Sequence, residues 1–226
     1  MTNTTRLDAM VFRTLFKKAY IKEYLYRALR NAEFGDADIF ITPLMTRIVV
    51  YVNRPGSLVS RHGDMIRRLE AELRRAGIEN PKIEVKKIRE GLLNPQVLAN
   101  HLALQIEANK YSRALLHRLK NAVLAAGARG IEIIINGRLG GTRARHERLV
   151  AGYIRKIGWH AEQLVKEGFS IAIPKLGVVG IRVRVVPPGT VFPDEIKVKE
   201  PHELPEEVKK QLGIESNESE VQAQGH

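Results

Sequence analysis

The sequence of 226 residues contains no cysteine, few aromatic residues and no long apolar run. Without cysteine, the chain can form neither disulfide bonds nor thiolate metal sites, and it has no thiol nucleophile. No apolar stretch approaches the roughly 18 residues of a membrane-spanning helix. The N-terminal residues 1–18 also lack the apolar segment of a signal peptide. We therefore expect a soluble, cytoplasmic protein with no membrane partner.

Motifs that would indicate catalysis are missing as well. The seven histidines form no H-E-x-x-H pair, and neither a G-x-S-x-G turn nor a phosphate-binding P-loop occurs. We therefore expect no catalytic residue, no metal, no cofactor and no small-molecule substrate. A hydrophobic content of 44% and a charged content of 27% are nevertheless ordinary for a globular chain, which excludes a largely disordered or fibrous protein.

What the sequence has in excess is positive charge. Lysine and arginine number 37 against 25 acidic residues, a formal net charge of +12. From Asp194 onward nine acids stand against four bases, so the first 193 residues carry 33 bases and 16 acids. A body with a net charge of +17 attracts polyanions, and nucleic acid is the commonest of these. The alternative is that these positive charges only keep the surface solvated and bind no partner.

The first 90 residues predict the order helix, strand, strand, short helix, helix, strand. Apolar runs at 39–41 and 48–52 predict a hairpin, residues 64–76 a helix that ends at Gly77, and residues 83–88 a strand. The first helix is expected over residues 11–31. Its aromatic residues recur every four positions, which we interpret as a core-facing stripe: Phe12, Phe16, Tyr20 and Tyr24.

The second half predicts a mixture of helices and strands followed by a tail. Helical patterns begin at Asn94 and span 112–126, and a strand covers 131–135, followed by the glycine-rich turn 137–141. Residues 143–157 are ambiguous between helix and strand by period alone. A short helix and two further strands are expected at 160–166, 169–173 and 178–186. From Asp194 onward we expect a largely flexible, acidic tail.

One glycine-containing turn has an informative context. Ser60-Arg61-His62-Gly63 follows the predicted hairpin and lies between two helices. Such a turn lets a nucleic-acid backbone approach the protein backbone, with the N–H groups of the second helix facing phosphates. This is the arrangement of a KH domain, whose loop clamps about four nucleotides, and the order αββααβ resembles the type II variant. The alternative is an ordinary corner between two helices.

The sequence resembles the ribosomal protein S3 family over roughly residues 11–189. The segments GRLGG and KLGVVGIRVRV carry the resemblance in the second half, and VNRPGSLVSRHGDMIRRLEAEL carries it in the KH region. The 153–166 region and the acidic tail are similar to the archaeal and eukaryotic branch. The resemblance implies an α/β (α+β) fold, with a type II KH domain at 1–92 and an α/β two-layer domain with a mainly antiparallel sheet at 93–190. The tail then spans 191–226, and residues 143–157 are largely a strand.

The resemblance also implies a function. Members of the family bind ribosomal RNA in the head of the small subunit, near the channel where mRNA enters, so the expected partners are small-subunit rRNA, mRNA and neighbouring head proteins. A basic cluster tied to unwinding of mRNA in many bacterial members is matched here only by Arg113, so that role is not carried over. A free-standing KH-type regulator of mRNA and a nucleic-acid lyase or nuclease are the alternatives.

We expect RNA contacts from two groups of residues. Arginine suits this work because its planar guanidinium group pairs with phosphate and stacks on bases. The first group is Arg54, Ser60, Arg61, His62, Gly63, Arg67 and Arg68; the second is Arg113, Arg138, Arg143 and Arg145. Serine in place of glycine at position 60 makes a positive φ more costly, so the clamp is expected to be altered. Arg182 and Arg184 share one strand face, which is either solvated or on RNA.

Overall fold

The computed structural model describes residues 3–42, 44–58, 64–139, 141 and 143–194, with side chains from Met10 onward. The predictions for the loop at residues 60–63 and for the tail beyond Asp194 therefore lie outside the described residues. Residues 1–190 form one compact unit, and a second unit begins at Val191. In the described part of the chain, no helix is both long and apolar enough to cross a membrane.

The N-terminal lobe is a three-stranded sheet with two helices. Its elements are α1 (Asn3–Ala28), β1 (Phe34–Ile41), β2 (Thr46–Val52), α2 (Asp64–Arg75) and β3 (Pro81–Lys87). The strands lie in the order β1-β2-β3, with β1 and β2 antiparallel and β2 and β3 parallel. The predicted hairpin is confirmed, and the short helix before α2 is a single 3-10 turn at Pro55–Ser57.

The core of this lobe forms where the last turns of α1 meet α2 and the sheet. Ile21 and Leu25 of α1 are fully buried with Leu69 and Leu73 of α2 in one apolar cluster. The negative charge of Asp64, in the first turn of α2, interacts favourably with the positive end of the helix dipole. Gly77, with a φ of +82°, ends the helix as the sequence indicates.

Of the aromatic stripe of α1, only Tyr24 packs against this core, so the core-facing interpretation is wrong for the other three residues. Phe12, Phe16 and Tyr20 are 69%, 64% and 47% exposed. A helix of 26 residues is about 39 Å long, whereas strands of seven or eight residues span roughly 25 Å. The sheet therefore covers only the C-terminal part of α1. There the buried row begins at Ile21, and Tyr24 packs beside it.

The C-terminal lobe is a four-stranded antiparallel sheet covered by helices on one face. Its elements are α3 (Pro95–Glu107), α4 (Arg113–Ala125), β4 (Gly130–Gly137), β5 (Arg145–Gly152), α5 (Trp159–Leu164), β6 (Lys166–Ala172) and β7 (Val179–Val186). The strand order is β5-β4-β7-β6. Strand β5 confirms that residues 143–157 are largely a strand. The mainly antiparallel α/β fold that the resemblance implies is therefore confirmed.

The two faces of this sheet differ in character. Every second residue of the central strands, such as Ile133 and Val183, is buried against α3 and α4. The alternate residues, such as Arg182 and Arg184, lie on the opposite face, which we call the open face. Helix α3 begins where the sequence predicts, because the side chain of Asn94 accepts hydrogen bonds from the backbone N–H groups of Gln96 and Val97.

Side chains join the two lobes at the edge strand β6. The hydroxyl of Tyr26 on α1 donates to the carbonyl oxygen of Phe169 at 2.6 Å. Gln96 on α3 donates to the same oxygen at 2.8 Å and accepts from the Phe169 N–H at 3.2 Å. The Ile173 N–H donates to Glu107 at 2.9 Å. An edge strand with unpaired backbone groups is thus capped by side chains rather than by another strand.

Replacing Gly168 by alanine should weaken the packing of β6 on α3. A Cβ at Gly168 would lie 2.3 Å from the carbonyl carbon of Pro95 and 2.4 Å from the nitrogen of Gln96. Because backbone cannot move aside as a side-chain tip can, we expect a loss of about 2 kcal/mol in the free energy of unfolding, measured by urea denaturation. Gly56→Ala is the control, since nothing lies within 4 Å of its added Cβ. Equal losses in both variants would contradict the close packing of β6 on α3.

Candidate nucleic-acid interface

The described residues of the first predicted group are Arg54, which follows β2, and Arg67 and Arg68, which lie on α2. Helix α2 begins at Asp64, which follows the predicted loop in the sequence, and its first backbone N–H groups have no partner within the helix. Ser60, Arg61, His62 and Gly63 lie outside the described residues. Arg67 and Arg68 are exposed on the first two turns, and neither forms an ion pair with another described residue. Their guanidinium groups are therefore available to an anionic ligand.

Arg54 differs from these two arginines because it pairs with a buried carboxylate, although its own side chain is exposed. Its terminal nitrogen lies 3.0 Å from a carboxylate oxygen of Glu33, whose side chain is only 1% exposed. Asn53 donates to the other oxygen at 2.6 Å, and Nδ1 of His101 lies 2.9 Å from the first. Since a carboxylate can only accept, Nδ1 of His101 carries the proton in this contact. The positive charge of Arg54 is thus partly neutralised by the carboxylate of Glu33.

The environment of Glu33 favours its charged form. Burial by itself would raise the pKa of Glu33, but the hydrogen bonds from His101 and Asn53 and the charge of Arg54 together lower it below its ordinary value. Glu33 precedes β1, Arg54 follows β2, and His101 lies on α3. The carboxylate therefore also connects the two lobes, a role that no local sequence pattern indicates.

The second group of predicted residues is brought together by α4, β5 and the turn before β5. Arg113 opens α4, where Ser112 caps the helix by accepting from the Leu115 N–H at 3.2 Å. The guanidinium group of Arg113 lies 3.7 Å from the carboxylate of Glu147 on β5. Arg145 lies on the same side of β5 as Glu147, about 7 Å along the strand. Arg113 therefore contacts the side of β5 that also carries Arg145, which is 32 positions away in sequence.

The remaining two arginines of this group flank the turn between β4 and β5. Arg138 follows Gly137, the last residue of β4, which pairs with Arg145 at the start of β5. Arg143 precedes Arg145 in the same turn. All four arginines of the group are exposed. We call these four residues (Arg113, Arg138, Arg143 and Arg145) the turn cluster.

A cavity of about 390 Å³ lies beside the turn cluster, where α4 meets β5. It is lined by Arg113, Leu116, His117, His146, Glu147, Arg148 and Leu149. The hydroxyl of Tyr111 donates to Glu147. Burial and the neighbouring carboxylate raise the pKa of Tyr111, so its phenol remains protonated. His146 and Arg148 were not among the predicted site residues, because only the contact between α4 and the edge strand places them there.

The open face of the second sheet is organised by two carboxylates. Glu132, 1% exposed, accepts from Arg148 at 2.6 Å and lies 3.4 Å from Arg184 and 3.7 Å from Lys156. Glu167 pairs with Arg182 at 2.9 Å and with Arg184 at 3.3 Å. Four cations thus surround two carboxylates on this face. Among the described residues, no group of three histidine, aspartate or glutamate side chains could hold a metal ion.

Comparisons with known proteins match both halves of the chain. The family model of the KH domain matches residues 20–92, and the family model of the ribosomal protein S3 C-terminal domain matches residues 102–185. A protein of Methanothrix thermoacetophila named small ribosomal subunit protein uS3 is 40% identical over 192 residues, covering 84% of this chain and 70% of that protein. The protein of the same name from Archaeoglobus fulgidus is 42% identical over 184 residues, covering 81% and 80%. That from Methanococcoides burtonii is 38% identical over 217 residues, covering 93% and 71%.

Proposed function

Because the chain belongs to the ribosomal protein S3 family, we propose that it is a structural constituent of the small ribosomal subunit and binds small-subunit rRNA. The observation that carries the proposal is the placement of the predicted arginines. Arg67 and Arg68 are exposed on α2, and the turn cluster is exposed on the second lobe. Both groups belong to a body whose first 193 residues have a net charge of +17. The protein performs no chemistry in this role.

The mechanism is electrostatic docking onto RNA phosphates. Each arginine that pairs with a phosphate releases condensed counterions from the RNA, and this release supplies much of the affinity. Specificity comes from the shape of the folded RNA and from its loops. In this scheme residues 1–92 act as a type II KH domain, residues 93–190 as the ribosomal C-terminal domain, and residues 191–226 as an acidic tail.

The proposed location is the head of the small subunit, near the channel where mRNA enters. The support for it is the family resemblance together with the turn cluster, whose Arg113 matches a basic position of the bacterial members. In that location the turn cluster contacts mRNA or rRNA, and neighbouring head proteins cover other surfaces of the chain. The protein is then found with cytoplasmic ribosomes.

Sedimentation of a cell lysate tests the ribosomal role against that of a free-standing KH-type regulator. We expect the chain to travel with small subunits in a sucrose gradient, because many phosphate contacts hold it there. After removal of Mg²⁺ separates the two subunits, the chain should remain with the small subunit and be missing from the large one. Recovery of the chain mainly in the light fractions would favour the regulator instead.

A further inference from the structure

We propose that the open face of the second sheet binds an unpaired base of an RNA strand, stacked on the ring of Phe169 beside Arg182. The inference rests on the proposed function, since it takes RNA as the ligand of the protein. It adds a site distinct from the loop before α2 and from the turn cluster. None of the residues in the two predicted RNA-binding groups contributes to it; of the residues that form it, the sequence indicated only that the face of Arg182 and Arg184 is either solvated or on RNA.

The ring of Phe169 is displayed on the open face. Its neighbours in β6, Gly168 and Ser170, are buried on the helix side, whereas Phe169 itself is 46% exposed. Across the pair of strands, Phe169 lies opposite Arg182, and Ile171 lies opposite Gly180. A Cβ at Gly180 would be 4.0 Å from the edge of the Phe169 ring. The ring thus leans toward a residue without a side chain, which leaves a flat surface for a planar ligand.

Contacts from both lobes fix the position of this aromatic residue. Three hydrogen bonds reach its backbone: one from Tyr26 on α1 and two with Gln96 on α3. Without such hydrogen bonds, an edge strand can shift and carry its exposed aromatic residue with it. Because the backbone of Phe169 is already held in place, the strand need not be ordered when a ligand stacks on the ring.

The charges on this face favour a polyanion. The cations Arg148, Lys156, Arg182 and Arg184 stand against the carboxylates Glu132 and Glu167, an excess of two positive charges. Arg182 pairs with Glu167 through Nε, and a guanidinium group has five N–H donors, so donors remain for a phosphate. A ring that stacks a base next to an arginine that binds its phosphate is the combination by which sheets bind single-stranded RNA.

A protein partner is the competing occupant. Ile171 and Ile173 continue the exposed apolar surface along the edge of β6, and exposed apolar patches also mark protein interfaces. The excess positive charge and the pairing of an aromatic ring with an arginine decide in favour of RNA. The experiment below therefore distinguishes the two occupants.

The test is binding of the full chain to a single-stranded 12-nucleotide RNA that contains 4-thiouridine, followed by photocrosslinking and mapping of the crosslinked peptide. We expect a crosslink within residues 166–173. Phe169→Leu keeps an apolar side chain but removes the ring, so it should weaken binding about tenfold, the scale of one stacked base. Phe169→Trp should preserve the affinity. The control is Phe40→Leu, because Phe40 is also exposed on a strand and also lies opposite an arginine, Arg47.

The outcomes distinguish a failure of this site from a failure of the proposed RNA-binding function. A crosslink at β6 with an affinity loss in Phe169→Leu, and less than a twofold change in Phe40→Leu, supports the site. Binding by Phe169→Leu equal to the wild type, without a crosslink at β6, overturns the site but leaves the proposed function standing. If the wild-type chain binds no RNA at all, the proposed function fails and the site with it. In intact small subunits, a crosslink from this segment to protein instead of RNA would also overturn the site.

Discussion

Raising the salt concentration from 50 to 200 mM is expected to weaken binding of the full chain to small-subunit rRNA roughly 10³- to 10⁵-fold. That range follows if about 6–10 phosphates are neutralised, because log K falls with log salt by about 0.9 for each phosphate contact. The described arginines supply contacts on this scale: Arg67, Arg68 and the four residues of the turn cluster are all exposed. Filter binding or fluorescence anisotropy across the salt series measures the slope.

Variants assign the slope to particular residues. The double variant Arg67→Gln, Arg68→Gln should reduce the slope by up to about 1.8, since each lost phosphate contact removes about 0.9. The matched control is the double variant Arg27→Gln, Arg47→Gln. These two arginines are exposed but already pair with Glu23 and Glu84, so the slope should stay nearly constant. A flat salt response of the wild-type chain would contradict electrostatic docking altogether.

The sequence predicts whether a segment is a helix or a strand wherever its apolar periodicity or its cap is strong. It does not predict which side of a helix packs against the rest of the protein. Helix α1 shows why. Both the row through Phe12 and Phe16 and the row through Ile21 and Leu25 recur every four residues. Periodicity reveals such a row without indicating whether the protein's own sheet reaches it. The sheet covers the row through Ile21 and Leu25, whereas Phe12, Phe16 and Tyr20 of the aromatic row are left exposed and only Tyr24 packs against the core.

Strand β5 shows a second limit of periodicity. It lies at the edge of the sheet, and polar residues occupy both of its sides: His146 and Arg148 on the open face, Arg145 and Glu147 on the helix side. An edge strand of this kind has no clear alternation of apolar and polar residues. The resemblance to a family, rather than the local pattern, was therefore what indicated a strand there, and the structure confirms it.

The residue types of the candidate site could also be predicted, but their contacts could not. The sequence singled out both Arg54 and Arg113 as candidate RNA-binding cations. In the structure Arg54 is paired with a buried carboxylate, whereas Arg113 has only a distant contact with Glu147. The partner of Arg54 is 21 residues away, and His101 is 68 residues from the same carboxylate. Contacts of that separation depend on the tertiary fold, which no local pattern encodes.

Replacing Glu33 by glutamine is expected to lower the free energy of unfolding by about 3 kcal/mol at neutral pH. Glu33 is buried although Arg54 is exposed, and neutralising a buried carboxylate costs this much because its hydrogen-bond donors lose a charged acceptor. Here Arg54, Asn53 and His101 all lose it together, and the contact between the lobes weakens. Urea denaturation measures the loss. The control is Glu84→Gln, since Glu84 pairs with Arg47 at the surface and its replacement should hardly change the midpoint.

The pH dependence identifies the charge of Glu33 as the cause. The pKa of Glu33 is lower in the folded chain than its ordinary value of 4.5, so the folded state binds fewer protons at this group than the unfolded state. Its contribution to stability is therefore complete above about pH 4.5 and is lost as the pH falls through the lowered pKa of the folded state. The difference in stability between the wild type and Glu33→Gln should shrink over that interval. A difference that stayed constant down to pH 3 would mean that shape, not charge, makes Glu33 important, and that the ion pair with Arg54 contributes little to joining the lobes.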